Sequence, residues 1–159
     1  MTRGPGEPPR FGVRPATDED RRWAAEVMAG SDPWITLGRN FERCLQICRD
    51  PEYAVFVAHE GERPRGFIIL QRRGVAGSPY IASLGVSADA RGQGVGARLL
   101  TFAEEHFTGA RHMFLCVSSF NPRARRFYER HGYAVVADLQ AYVIPDASEL
   151  LMYKRLTPA

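Results

Sequence analysis

Three glycines at alternate positions, Gly92, Gly94 and Gly96, stand where an apolar stretch gives way to a helix-forming one, Val95 to Leu100. That junction constrains the chain more than any other. A helix N-terminus leaves several backbone N–H groups without internal partners and carries a partial positive charge. Glycines admit a phosphate close to those groups, because no Cβ stands in the way. The stretch 83–100 therefore reads as strand, turn, anion cradle and helix, with a pyrophosphate as the expected anion.

Other phosphate loops fit less well. A nucleotide-triphosphate loop needs Lys and Ser/Thr after its last glycine, and Ala97 and Arg98 stand there instead. The dinucleotide fingerprint G-x-G-x-x-A is met formally by Gly92, Gly94 and Ala97. It belongs at the tight turn directly after its strand, whereas Ser87 to Arg91 intervene here. Its acidic residue about twenty positions further on is also missing.

With 159 residues, the chain is long enough for one domain with a sizeable core. A formal charge of +3 with scattered arginines gives no case for a nucleic-acid partner. No apolar run is long enough for a membrane span. The three cysteines, Cys44, Cys48 and Cys116, lack the spacing of a disulfide framework or a zinc site. They read as buried reduced thiols with no metal. Residues 1–10 are rich in Gly, Pro and Arg and lack a signal-peptide core, so a disordered tail on a cytoplasmic protein is expected. The expected domain is 11–157.

Along the chain, residues 11–14 suggest a short strand. Thr17 and Asp20 form a T-x-x-D cap for a helix reaching about Gly30. A second helix is expected over 38–49, stopped by Asp50-Pro51. Strands over 53–59 and 66–71 make a hairpin, followed by a loop at 74–79. A strand over 80–86 precedes the glycines, and a helix over 97–107 follows them. A buried strand is expected at 113–117 and a helix at 122–130, with Pro122 in its first turn and Gly132 as its C-cap. Strands at 133–143 and 150–156 close the chain. The order β-α-α-β-β-β-α-β-α-β-β implies an α/β domain: one mixed, mostly antiparallel sheet of about seven strands with helices on both faces.

Two motifs carry a resemblance. Arg91-Gly92-Gln93-Gly94-Val95-Gly96 matches R/Q-x-x-G-x-G/A. Further on, residues 121–133 match N-x-x-A-x-x-[apolar]-Y-E-x-x-G-[aromatic], from Asn121 through Tyr128 to Tyr133. In this order and spacing they resemble the GNAT superfamily of N-acetyltransferases, over roughly residues 11–156. The resemblance implies acetyl-CoA as cosubstrate and direct attack of an amine on its thioester in a ternary complex. It implies cofactor contacts from Leu84, Gly85 and Val86 on the fourth strand, from Arg91, Gly92, Gln93, Gly94, Val95, Gly96, Ala97 and Arg98 in the loop, and from Asn121 and Tyr128. Val86 is the expected N–H donor to the thioester oxygen, and Gly85 suggests a bulge that opens the sheet.

Tyr128 is the candidate general acid, since a phenol is protonated at neutral pH. Many relatives carry a glutamate where this chain has Tyr80, which leaves the base open: a water chain, Glu149 entering the last strand, or a relay through Tyr142. His59, His106, His112 and His131 fall at no motif position. The acceptor pocket is expected between the break holding Trp34, Ile35 and Thr36 and the loop 142–149, where Asp146 or Glu149 would attract a cationic amine. A primary amine on a protein or small molecule is the implied acceptor, with a monomer or homodimer as the assembly. A non-catalytic acyl-CoA-binding module of the same fold is the alternative.

Overall fold

A computed structural model describes residues 4–156. Seven strands, β1 (Gly12–Pro15), β2 (Ala54–Glu60), β3 (Arg63–Val75), β4 (Ser78–Val86), β5 (His112–Ser118), β6 (Ala134–Leu139) and β7 (Glu149–Arg155), form one sheet in the order β1-β2-β3-β4-β5-β7-β6. Every neighbouring pair is antiparallel except β4 with β5. The helices are α1 (Asp18–Ala29), α2 (Phe41–Arg49), α3 (Val95–His106) and α4 (Pro122–Arg130). Sheet, element order and helix number agree with the sequence expectation.

Both faces of the sheet are covered, and β3 shows why its middle is a continuous apolar run. Side chains alternate across a strand. Phe67 and Ile69 join a core with Ala24, Ala25 and Met28 of α1 and Cys44, Leu45 and Cys48 of α2. Ile68 and Leu70 join a second core with Val95, Leu99, Leu100 and Ala103 of α3 and with Tyr128 of α4.

Local signals set most helix ends. Thr17 and Asp20 make a complete capping box on α1, and Asp20 is further bonded by Arg14. Asn40 caps α2 through Arg43 N–H (2.9 Å), so this helix begins after Gly38 rather than at it. Gly38 has φ +71°, outside the helical region.

Pairing corrects the strand limits. The expected loop at 74–79 is a tight hairpin: Val75 pairs with Ser78, and Ala76 (φ +48°) and Gly77 (φ +81°) turn the chain as a two-residue loop requires. The strand expected over 133–143 ends at Leu139, where its partner β7 begins with Glu149. Residues 140–148 form a loop, with Ala141 at φ +52°. Ordered contacts reach back into the expected tail, since Arg10 bonds Glu60 (2.7 Å) and Gln93 (2.8 Å). Residues 1–3 of that tail and residue 157 of the expected domain lie outside the described residues.

Candidate active site

β4 and β5 pair only at Tyr80 with Phe114 and Ile81 with Leu115. Beyond Ile81 they diverge and leave a gap in the sheet. The bulge in this region lies at Ala82, the extra residue between the β3 partners Ile69 and Leu70, and not at Gly85 as expected. Gly85 is required for a different reason: a Cβ there would meet the Phe67 ring at 2.5 Å.

Backbone direction along the gap follows from one hydrogen bond. Ser87 N–H donates to Arg65 O at 2.9 Å across β4 and β3. Opposed residues of an antiparallel pair alternate between bonded and non-bonded. The register therefore turns Gly85 N–H toward β3 and the N–H groups of Leu84 and Val86 away from it, into the gap. Of the three expected donors, Leu84 and Val86 face the open side.

The glycine loop lies beside them. Gly92 (φ +75°) and Gly94 (φ +87°) occupy the left-handed region, with open space where a Cβ would project. Gly94 is the N-cap of α3 and no side chain caps the helix. The first intrahelical bond runs from Arg98 N–H to Gly94 O at 3.0 Å. The N–H groups of Val95, Gly96 and Ala97 precede it and have no partner within the helix.

A cavity of about 720 Å³ joins these parts, lined by Leu84, Gly85, Val86, Arg91, Gly92, Gly94, Val95, Gly96, Ala97, Asn121 and Tyr128. Two residues expected there lie outside it. The Gln93 amide braces the loop by donating to Asp89 O (3.0 Å) and accepting from Arg10. The Arg98 guanidinium donates to Phe11 O (3.2 Å), and its N–H is spent on Gly94. The cavity also holds Arg123 and Arg130 of α4, which the sequence pattern left unremarked.

A smaller cavity of about 190 Å³ abuts the first and shares Trp34, Leu84, Asn121, Ala124 and Tyr128 with it. Trp34 belongs to the core under α1 and α2, and Tyr128 to the core under α3 and α4. They reach the same two cavities because the sheet is open between them. Asn121 caps α4, accepting from Ala124 N–H at 3.2 Å, and lines both cavities as well. Tyr128 is 8% exposed, and its hydroxyl bonds no other group among the described residues. Burial pushes its pKa above the ordinary phenol value, so it is a neutral acid.

The remaining wall of the small cavity comes from Arg39, Tyr80, Cys116, Ser118, Tyr142, Val143 and Glu149. Glu149 is not an exposed loop carboxylate. It is the first residue of β7, 8% exposed, opposite Ser118 in the β5–β7 register. Ser118 Oγ donates to its Oε1 at 2.7 Å. The neighbouring pair locks this corner further: Ser119 N–H donates to Ser148 O (2.9 Å), and Ser148 N–H to Ser119 Oγ (3.0 Å). Tyr80 interacts with the half-buried Cys116; burial, then these neighbouring acidic groups, raises its pKa. Tyr142 stands at the rim, 68% exposed. Thr36 does not reach either cavity; its hydroxyl and N–H both donate to Asp32 Oδ1.

The arrangement can hold a phosphorylated thioester in the large cavity and a small acceptor in the other, with a neutral acid where the two meet and a carboxylate in the smaller one. Known proteins agree in kind. The profile of the acetyltransferase (GNAT) family matches residues 18–133. A 5-NmdU N-acetyltransferase of Pseudomonas phage PaMx11 is 35% identical over 83 residues, 50% of this chain and 56% of the relative, so the match spans just over half of that protein. Among solved structures, the ribosomal-protein-S18-alanine N-acetyltransferase of Escherichia coli superposes with a TM-score of 0.74 at 18% identity, covering 94% of this chain and 96% of the other. A protein of Bacillus anthracis str. Ames in complex with acetyl coenzyme A gives 0.60 at 22% identity, over 67% and 64% of the two chains.

Proposed function

The chain belongs to the acetyltransferase (GNAT) family, and from that premise we propose that it moves an acetyl group from acetyl-CoA to a primary amine by direct attack in a ternary complex. The observation that carries this reading is the pair of cavities meeting at Trp34, Leu84, Asn121 and Tyr128. The Bacillus anthracis relative holds acetyl coenzyme A, and the phage relative is named for N-acetylation.

Acetyl-CoA supplies an activated acyl group and a thiol leaving group. Val95, Gly96 and Ala97 N–H receive the pyrophosphate at the uncapped start of α3, where Gly92 and Gly94 leave room for it. Arg91, Arg123 and Arg130 add positive charge to the same cavity. Leu84 and Val86 N–H face the pantetheine arm and the acetyl group, with Val86 donating to the thioester oxygen; a donor of this kind contributes about 3 kcal/mol in the transition state. Glu149, held by Ser118, takes the proton of the amine. The nitrogen bonds to the carbonyl carbon as the carbon–sulfur bond breaks, and Tyr128 O–H protonates the departing sulfur. Trp34 and Tyr142 wall the acceptor.

The test follows release of free thiol from acetyl-CoA over a panel of amines, beside a melting curve with acetyl-CoA alone. Thiol release that depends on the amine is expected. A melting shift with no release for any amine would instead establish the non-catalytic acyl-CoA-binding module.

A further inference from the structure

The small cavity holds one carboxylate and one guanidinium, Glu149 and Arg39. Neither forms an ion pair among the described residues, with each other or with anything else. Opposite charges lining one partly desolvated space of about 190 Å³ attract each other strongly, and long side chains usually swing together when the backbone allows it. In this structure they do not pair. Glu149 stands at the head of β7, where Ser118 Oγ donates to it. Arg39 stands on the connection between α1 and α2, where its backbone N–H donates to Trp34 O (3.0 Å) and its C=O accepts from Cys44 Sγ. The two charges thus reach one cavity from different elements.

A half-buried guanidinium and a buried carboxylate each cost desolvation that a charged partner offsets. One ligand meets both needs if it carries both charges. From this we infer that the acceptor is a small zwitterion, a primary amine that also bears an anionic group, with its ammonium toward Glu149 and its anion toward Arg39. The inference rests on the acetyl-transfer reading above and names the substrate class for it.

Size and lining agree. At about 30 Å³ per water in the liquid, the cavity equals about six waters, room for one small molecule. Four aromatic residues, Trp34, Tyr80, Tyr128 and Tyr142, share the lining with the two charges. Glu149 binds the ammonium and then accepts its proton, which frees the nitrogen lone pair for attack on the thioester carbonyl. Arg39 keeps its charge throughout and holds the anion. An α-amino acid and an aminoalkyl phosphate share this chemistry.

The experiment compares acceptors that differ only in the anion: valine with isobutylamine, and O-phosphoethanolamine with ethanolamine. Free-thiol release is read for each, with acetyl-CoA binding followed by melting. At least one anionic member is expected to exceed its neutral partner tenfold or more in kcat/KM, and which pair does so separates carboxylate from phosphate. Arg39→Gln is expected to bring that ratio toward one, and Arg39→Lys, which keeps the charge, to retain most of it. Should Arg39→Gln lower the melting temperature, the wild-type ratios decide alone. Neutral amines equal to or better than their anionic partners overturn the zwitterion and leave acetyl transfer standing. No release for any amine, with acetyl-CoA still raising the melting temperature, removes both.

Discussion

In the proposed reaction Tyr128 acts on the ligand through its hydroxyl alone. Its ring packs on Phe127 and Tyr133, its burial raises the pKa, and it lines both cavities. Removing that oxygen leaves the packing in place. Tyr128→Phe is therefore expected to lower kcat by about 10²-fold or more, in the range of general-acid effects, while the melting shift with acetyl-CoA persists. Loss of the melting shift instead would make Tyr128 a binding residue. In the proposed reaction Ser118 acts through Glu149, to whose Oε1 its Oγ donates. Ser118→Ala is expected to lower kcat about tenfold, while Ser118→Thr restores it and KM for acetyl-CoA does not move. An equal change in both KM values would point to a distorted cavity rather than a loosened base. The cysteines separate in the same way. Burial, and then the neighbouring Cys44, pushes the Cys48 thiol up to about 11, and burial also raises Cys44 and Cys116. A thiol reagent at pH 8 is expected to titrate the native protein slowly and all three cysteines after denaturation. Rapid labelling of Cys44 or Cys48 in the native chain would show that the α1–α2 core opens.

α3 owes its use to how it begins. Gly94 at φ +87° turns the chain into the helix without a side-chain cap, and this leaves the N–H groups of Val95, Gly96 and Ala97 free. Gly94→Ala costs about 1–2 kcal/mol from the left-handed backbone alone, a fall of roughly 2–8 °C in melting temperature for a domain of this size. Gly94→Asn, better tolerated in that region, is expected to lose less stability; both variants raise KM for acetyl-CoA. α1 begins in the opposite manner, with a complete capping box at Thr17 and Asp20. Burial favours the neutral acid at Asp20, but the bonds from Arg14 and Thr17 outweigh it and hold the pKa below its usual value. A depressed carboxylate contributes stability that is full above its unfolded value and is lost as pH falls through the folded one. Asp20→Asn should thus narrow the stability gap between pH 6 and pH 3, which paired melting curves would measure. Such caps were legible in the sequence because their signal is local: Thr17 and Asp20, Asn121 and Pro122, Gly92 to Gly96. The length of β3, the turn at Ala76-Gly77 and the end of β6 at Leu139 were not, because strand pairing and register set them. The site divides along the same line. Its loop and Tyr128 sit in contiguous motifs, whereas Ser118 meets Glu149 only through β5–β7 register, and Arg39 arrives on a connection without periodicity. Thr36 and Arg98 were named from proximity in sequence, and a local bond to Asp32 and a long-range one to Phe11 engage their side chains instead.

At the scale of the molecule, two cores lie on opposite faces of one sheet and communicate where β4 and β5 part. The segment 31–35 borders the large cavity from the α1–α2 side, and α4 borders it from the α3 side. A ligand seated there touches both halves, so its binding energy stabilises the whole fold rather than one element. A ligand that binds only the native state adds RT ln(1 + [L]/Kd), about 2.7 kcal/mol at a hundredfold excess over Kd. For a domain of this size that is a rise of roughly 5–10 °C in melting temperature. Acetyl-CoA is expected to give it and NAD to give none, because a dinucleotide loop would need its glycines directly after the strand. The location of the effect tests the geometry more sharply than its size. Hydrogen exchange is expected to slow on both sides of the gap at once, at 31–39 and at 121–130, as well as at the start of α3. The hairpin turn at 75–78, which lines neither cavity, should exchange as before. Protection confined to the α3–α4 side would mean that the cofactor lies on one face and does not bridge the open sheet, and Trp34 would then lose its place between the two cavities.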